Sequence, residues 1–336
     1  GLRDGLGLHP DGVAAARRLI VQADIVVENY RKGGLDKLGL GYASFADDNP
    51  GLIWTEISGY GRTGPAAEKG GFDLIAQGLS GLMSITGESG DRPPAKCGPP
   101  VTDITAGILG AMGALAAYIE RLKTGRGQRV DTSLMEAGIV HTYWQSAIAF
   151  ATGASPGPMG SAPTLNAPYQ AFQTADGWIT VGAANQANWL RLLDALDARP
   201  LAADERFTSN ADRMAHLDAL VDALAPYFRA QTSADLLAKC DAAGLPAGPV
   251  LSVGAMHDHP QTLARGMTPT VPHSALGDVR TLGLPIAFSQ SAGGPQRGAP
   301  LLGEHTRTVL CAARYDDAAV DAMLASGAAV EAAPPP

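Results

Sequence analysis

The chain has 336 residues, 46% hydrophobic and 17% charged, enough for a sizeable core and more than one average domain. Its formal net charge is -8, with acidic residues scattered and no long run of either sign, which argues against nucleic acid or an anionic membrane surface as partner. Cys97, Cys240 and Cys311 lie far apart, with no CxxC pair and no histidine at metal spacing, so a reducing, cytoplasmic setting is expected and a metal site is not.

In chain order, PDGVAAARRLIVQA carries apolar residues at helical spacing, and DIVVENY and GLIWTEISGYG are short β-branched runs that end in turn residues. Such alternation predicts a parallel α/β sheet, whose ligands sit beyond the carboxyl ends of the strands. ENYRKGG and SGYGRTGP follow these strands and stand where a ligand would bind, although Gly, Asn and Pro also punctuate ordinary turns. LIAQGLSGLM reads as a helix that Asp73 can cap.

Next comes VTDITAGILGAMGALAAYIERLKTGRGQRVD, in which Asp103 leads a helix of Gly, Ala and medium apolar residues. Asp is a favoured N-cap, and its charge suits the helix dipole. Gly107, Gly110 and Gly113 each cost roughly 1 kcal/mol relative to Ala, which points to a close approach by another backbone or a ligand. Free N–H groups at a helix start can hold a carboxylate and also the oxyanion formed when it attacks a carbonyl. Asp103 is therefore a candidate cap and a candidate nucleophile at once. The apolar run Gly107 to Ile119 is too short and too rich in Gly and Ala to span a bilayer, so no membrane partner is expected. Lys123, Arg126 and Arg129 close the helix and lead into the next strand.

Residues 153–168, GASPGPMGSAPTLNAP, read as a linker or a binding loop. Beyond them GWITVGAAN is strand-like, QANWLRLLDAL and HLDALVDALAPYFRA are amphipathic helices, and SADLLAKCDAAGLPAGPV is a helix closed by Gly244 and Pro246.

ADIVVENYRKGGLDKLGLGYASFADDNPGLIWTEISGYGRTGP, GGFDLIAQGLSGLMSITGE, the Asp103 segment and PLLGEHTRTVL, in this order, closely resemble the family III CoA-transferases, also called CaiB/BaiF. The resemblance runs from about Pro10 to Tyr315. It implies an α/β fold with a Rossmann-like large domain over 1–160, a smaller α/β domain over 166–290 and a segment 293–336 returning to the large domain. It also implies an interlocked homodimer, with coenzyme A and acyl-CoA as substrates and no permanently bound cofactor. The implied reaction moves CoA from an acyl-CoA to a carboxylic acid, with Asp103 as the nucleophile that forms an aspartyl anhydride and then an aspartyl-CoA thioester.

By the same resemblance, Asn29, Tyr30, Arg31 and Lys37 approach the CoA nucleotide, and Gly70, Gly71, Phe72 and Asp73 lie beside the pantetheine. Asp73 stands where some transferases have Glu, and His305 is a family position with a structural role. The related α-methylacyl-CoA racemases carry His-Asp at 72–73, whereas Phe72 supplies no second titrating group. The family usually has a further N-terminal segment that includes the first strand of the sheet. Without it an exposed sheet edge and an incomplete CoA site are expected, and a third reading is a non-catalytic CoA-binding protein.

Overall fold

The computed structural model describes residues 9–88 and 92–332. The chain forms two compact units, one from Gly1–Phe72, Asp103–Ala137 and Val253–Pro336, the other from Asp73–Thr102 and Gly138–Ser252. These boundaries differ from those drawn at 160, 166 and 290, because long-range contacts do the grouping. Residues 73–102 join the second unit, where Gly138 packs on the Ser80 side chain and the Gly160 N–H donates to Gly87 O at 2.8 Å.

In the first unit, α1 (Pro10–Val21) starts on a proline, where the missing N–H costs nothing. It leads to β1 (Ile25–Glu28) and β2 (Ile53–Ser58). Past α2 (Asp73–Leu79) of the other unit come α3 (Val101–Thr124) and β3 (Arg129–Ser133). The three strands form a parallel sheet in the order β1-β2-β3, as the alternating pattern predicts. Successive strand residues face opposite sides, so β2 serves two cores. Trp54 joins Leu40, Phe45 and Leu52, with Val13, Ala16 and Ile20 of α1 against them. Ile53 joins Ala114 and Ala117 of α3, with Val130 against them.

The small residues of α3 seat it on this sheet. A Cβ on Gly110 would lie 3.2 Å from Ile57 and 3.3 Å from Thr55, and Gly113 abuts Val130. The other side of α3 is apolar and open: Ile104, Ile108, Met112, Leu115, Ile119 and Leu122 are each more than half exposed. At 24 residues the helix is long and apolar enough to cross a bilayer, contrary to the shorter run read from the sequence, because it continues through Thr124. Its packing against β2 and β3 makes it the cover of a sheet.

The second unit continues through α4 (Leu134–Val140), which begins in the first, and α5 (Tyr143–Thr152). Its antiparallel sheet contains β4 (Tyr169–Gln173), β5 (Trp178–Gly182) and β6 (Ala247–Pro249). Between β5 and β6 run α6 (Gln186–Ala195), α7 (Asn210–Ala215), α8 (Leu217–Arg229) and α9 (Ser233–Ala242). Leu220, Leu224 and Phe228 of α8 recur every four residues and are buried, and Phe228 stacks on Phe172 with ring centroids 4.2 Å apart. Arg213 of α7 is fully buried and donates to the carbonyls of Ala167 at 2.7 Å and Phe207 at 2.9 Å, which pins the end of the Gly/Pro-rich loop.

The chain rejoins the first unit with α10 (Val253–His257), α11 (Pro260–Ala264), the hairpin of β7 (Thr270–His273) and β8 (Gly277–Arg280), α12 (Thr306–Ala312) and α13 (Asp317–Ala325). Leu310, Val320 and Met323 pack with Ala15 of α1.

Candidate active site

Parallel pairing sets Glu28 beside Glu56 and Glu56 beside Asp131, so three carboxylates stand in one row across the sheet of the first unit. Two guanidinium groups hold them. Arg62, buried, ion-pairs with Glu28, donates to Tyr30 O at 3.0 Å and offers its backbone N–H to Asp131 Oδ2 at 2.9 Å. Arg129 reaches Glu56 Oε2 from Nη2 at 2.6 Å and from Nε at 3.2 Å. Burial pushes the Glu28 carboxyl above its ordinary value; Arg62 and the Tyr30 N–H pull it down, while neighbouring Glu56 pushes it up. Sequence reading missed this cluster apart from Arg129. The signal was present in VVEN, WTEI and VDTS, each with an acid near the middle or end of a strand, but only the register shows that the acids align.

A cavity of about 480 Å³ lies over the row, lined by Arg31, Lys32, Tyr42, Trp54, Arg62 and Arg129 among others. Of the four residues read as approaching a nucleotide, only Arg31 lines it; Asn29, Tyr30 and Lys37 are exposed outside its lining. The Arg31 guanidinium lies across Gly70, where a Cβ would come 2.8 Å from Nη2. Gly71 is held by a second close approach, since its Cβ would lie 2.6 Å from the Cα of Gly59 at the end of β2. The two glycines thus admit an arginine and a backbone, and Phe72, next in the chain, is 76% exposed.

In the second unit, Asp73 opens α2 and turns its carboxylate to the start of α3. Oδ1 accepts from the Thr102 N–H at 3.0 Å and the Thr102 hydroxyl at 2.8 Å; Oδ2 accepts from Gln77 Nε2 at 2.7 Å. Gln77 Oε1 in turn accepts the Cys97 N–H at 2.9 Å, and both Gln77 and Thr102 are fully buried. Burial raises the Asp73 pKa, but the Thr102 and Gln77 hydrogen bonds and the Lys96 charge outweigh it and hold the carboxyl below its ordinary value.

This arrangement corrects the reading of Asp103 as a helix cap. Asp103 is exposed in the first turn of α3, after Val101 and Thr102, and an acid from another helix serves the N–H that a cap would take. Thr102, the residue before Asp103, is fixed by two hydrogen bonds to Asp73. Among the described residues, no group of three or more His, Cys, Asp or Glu side chains could hold a metal ion.

Residues 8–306 match CoA-transferase family III. The chain is 37% identical over 304 residues to a succinate–glutarate CoA-transferase of Agrobacterium fabrum, covering 90% of this chain and 75% of that protein. It is 32% identical over 320 residues to the human succinyl-CoA:glutarate CoA-transferase, covering 95% and 73%. A crystal structure of a CaiB/BaiF family protein from Brucella suis superposes with a TM-score of 0.80 at 37% identity, covering 91% of this chain and 79% of that one.

Proposed function

Because the chain belongs to CoA-transferase family III, we propose that it moves CoA from an acyl-CoA thioester to a carboxylic acid through covalent intermediates on Asp103. The observation that carries this reading is the exposed Asp103 carboxylate in the first turn of α3, directly after the anchored Thr102. Relatives named for the pairing of a CoA ester with a carboxylic acid support the same reaction class.

An Asp103 oxygen attacks the thioester carbonyl, the C–S bond breaks, and an aspartyl anhydride and CoA thiolate result. The thiolate attacks the aspartyl carbonyl, releases the donor acid and leaves an aspartyl-CoA thioester. The acceptor carboxylate then attacks that thioester, giving a new anhydride and thiolate. Attack of the thiolate on the acceptor's carbonyl makes the product ester and restores Asp103. Each step exchanges one activated acyl bond for another, so no ATP is needed. N–H groups of the first turn can stabilise the oxyanions.

We assign the nucleotide end of CoA to the 29–37 segment, with Arg31 turned to the cavity, and the pantetheine to 70–73. Wild-type protein incubated with acetyl-CoA and then hydroxylamine should carry a hydroxamate on the Asp103 peptide. Arg31→Ala should need roughly tenfold more acetyl-CoA for the same labelling, the loss of one charge-assisted contact. A hydroxamate on another residue would overturn the role of Asp103, and unchanged labelling of the variant would overturn that of Arg31.

The anhydride must be kept from water. In one chain the surface next to Asp103 is the open apolar row that starts at Ile104 and Ile108, and burying such a row is worth about 25 cal/mol per Å². A second copy interlocked over it would supply the shielding. Sedimentation should therefore find a dimer at micromolar concentration with little folded monomer; a stable monomer active in transfer would exclude this assembly. The free thiols of Cys97, Cys240 and Cys311 suit a reducing, cytoplasmic setting.

A further inference from the structure

The loop that leaves β1 is gripped at one residue by the two members of a single ion pair. The Tyr30 N–H donates to Glu28 Oε2 at 2.7 Å, and Tyr30 O accepts from Arg62 Nη1 at 3.0 Å. Arg62 Nη2 closes the ring on Glu28 Oε1. Both charged side chains are buried, so little water competes for these bonds. Arg62 is itself anchored through the main chain: its N–H donates to Asp131 Oδ2 of β3 at 2.9 Å, and the preceding Gly61 N–H donates to Ser58 Oγ of β2 at 2.9 Å.

Arg31 comes directly after the gripped residue. Its carbonyl accepts the Gly34 N–H at 2.8 Å, and its guanidinium passes over Gly70 in the lining of the cavity. Lys32, next in the loop, is paired with Glu68 at 3.2 Å, whereas among the described residues no carboxylate forms an ion pair with Arg31. The direction of Arg31 therefore depends on the backbone that carries it. Burying an ion pair costs about as much in desolvation as it returns in attraction, so the Glu28–Arg62 pair contributes geometry more than stability.

We propose that Arg62 is a positioning residue for coenzyme A: by holding Tyr30 against Glu28 it aims the Arg31 guanidinium at the phosphates of the nucleotide end. This rests on the assignment of that end to the 29–37 segment and adds the group that orients it. A lysine at this position would keep the charge, but its three donors spread from one atom and cannot span Glu28 and Tyr30 O as the planar guanidinium does.

A double-mutant cycle read by calorimetry with coenzyme A tests this without turnover. Arg62→Lys and Arg31→Ala should each weaken binding by roughly tenfold, the loss of one charge-assisted contact, and the double variant should bind about as weakly as Arg31→Ala alone. Asp103 labelling at limiting acetyl-pantetheine, a donor with no nucleotide, should stay within about twofold in Arg62→Lys. Glu28→Gln opens the same pair from the carboxylate side and should reproduce this pattern, with urea melts showing that each variant is folded. Factors that multiply to ~100-fold in the double variant, equal losses with acetyl-CoA and acetyl-pantetheine, or wild-type affinity in Arg62→Lys would each overturn the proposal. If Arg31→Ala binds coenzyme A as the wild type does, the nucleotide assignment fails and the proposal with it. If Arg31→Ala weakens binding and Arg62→Lys does not, the assignment stands and only the positioning role is lost.

Discussion

Asp103→Asn should reduce CoA transfer by roughly four orders of magnitude or more while leaving the fold and acyl-CoA affinity nearly unchanged. Asn has the shape of Asp, and at this position of α3 it gives up the favourable interaction of a charge with the helix dipole, about 0.3–1 kcal/mol. The Thr102 N–H bonds to Asp73, whose carboxylate the substitution leaves in place. An amide oxygen is a poor nucleophile and cannot form the anhydride at a useful rate. Transfer is measured as new CoA ester by mass spectrometry, with an intact-mass check that the variant has not deamidated. An active, intact variant would move the chemistry to another residue.

Asp73→Asn should destabilise the protein by ~1–3 kcal/mol and lower kcat by about 10–100-fold with a smaller change in KM. One amide oxygen can replace Oδ1 and keep both Thr102 bonds, but the amide nitrogen then faces the donating Nε2 of Gln77. Turning the Gln77 amide over relieves that contact and sets its nitrogen against the Cys97 N–H. Every arrangement leaves two donors face to face in a buried network, which loosens the residue before Asp103. The pH dependence gives a second check. The folded pKa of Asp73 lies below its ordinary value of 3.8, so the carboxylate's contribution is complete above that value and is lost as pH falls through the folded pKa. The stability gap between wild type and Asp73→Asn, from urea melts, should therefore narrow below pH 3.8. A gap that stayed constant into acid, or a variant with wild-type kcat, would assign Asp73 no such role.

Much of this protein is determined within short stretches of its sequence. The β-branched runs DIVV and LIWTEIS, separated by long segments, give parallel strands because such pairs need crossovers, and the four-residue spacing of Leu220, Leu224 and Phe228 gives a helix with one buried face. The Gly/Ala content of α3 marks a close approach, and Gly110 and Gly113 on β2 and β3 are that approach. The same content does not say which side of α3 meets the sheet, and exposed Gly107 faces away from it. Tertiary structure alone decided that Asp103 is not a cap, since the acid that meets Thr102 comes from another helix. It alone aligned Glu28, Glu56 and Asp131, because periodicity sets the face of a strand while the register depends on what its neighbour buries. It alone tied Cys97 to the start of α3 through Gln77 and Asp73. Local propensity acts over a few residues, whereas buried polar groups must find partners wherever the folded chain brings them.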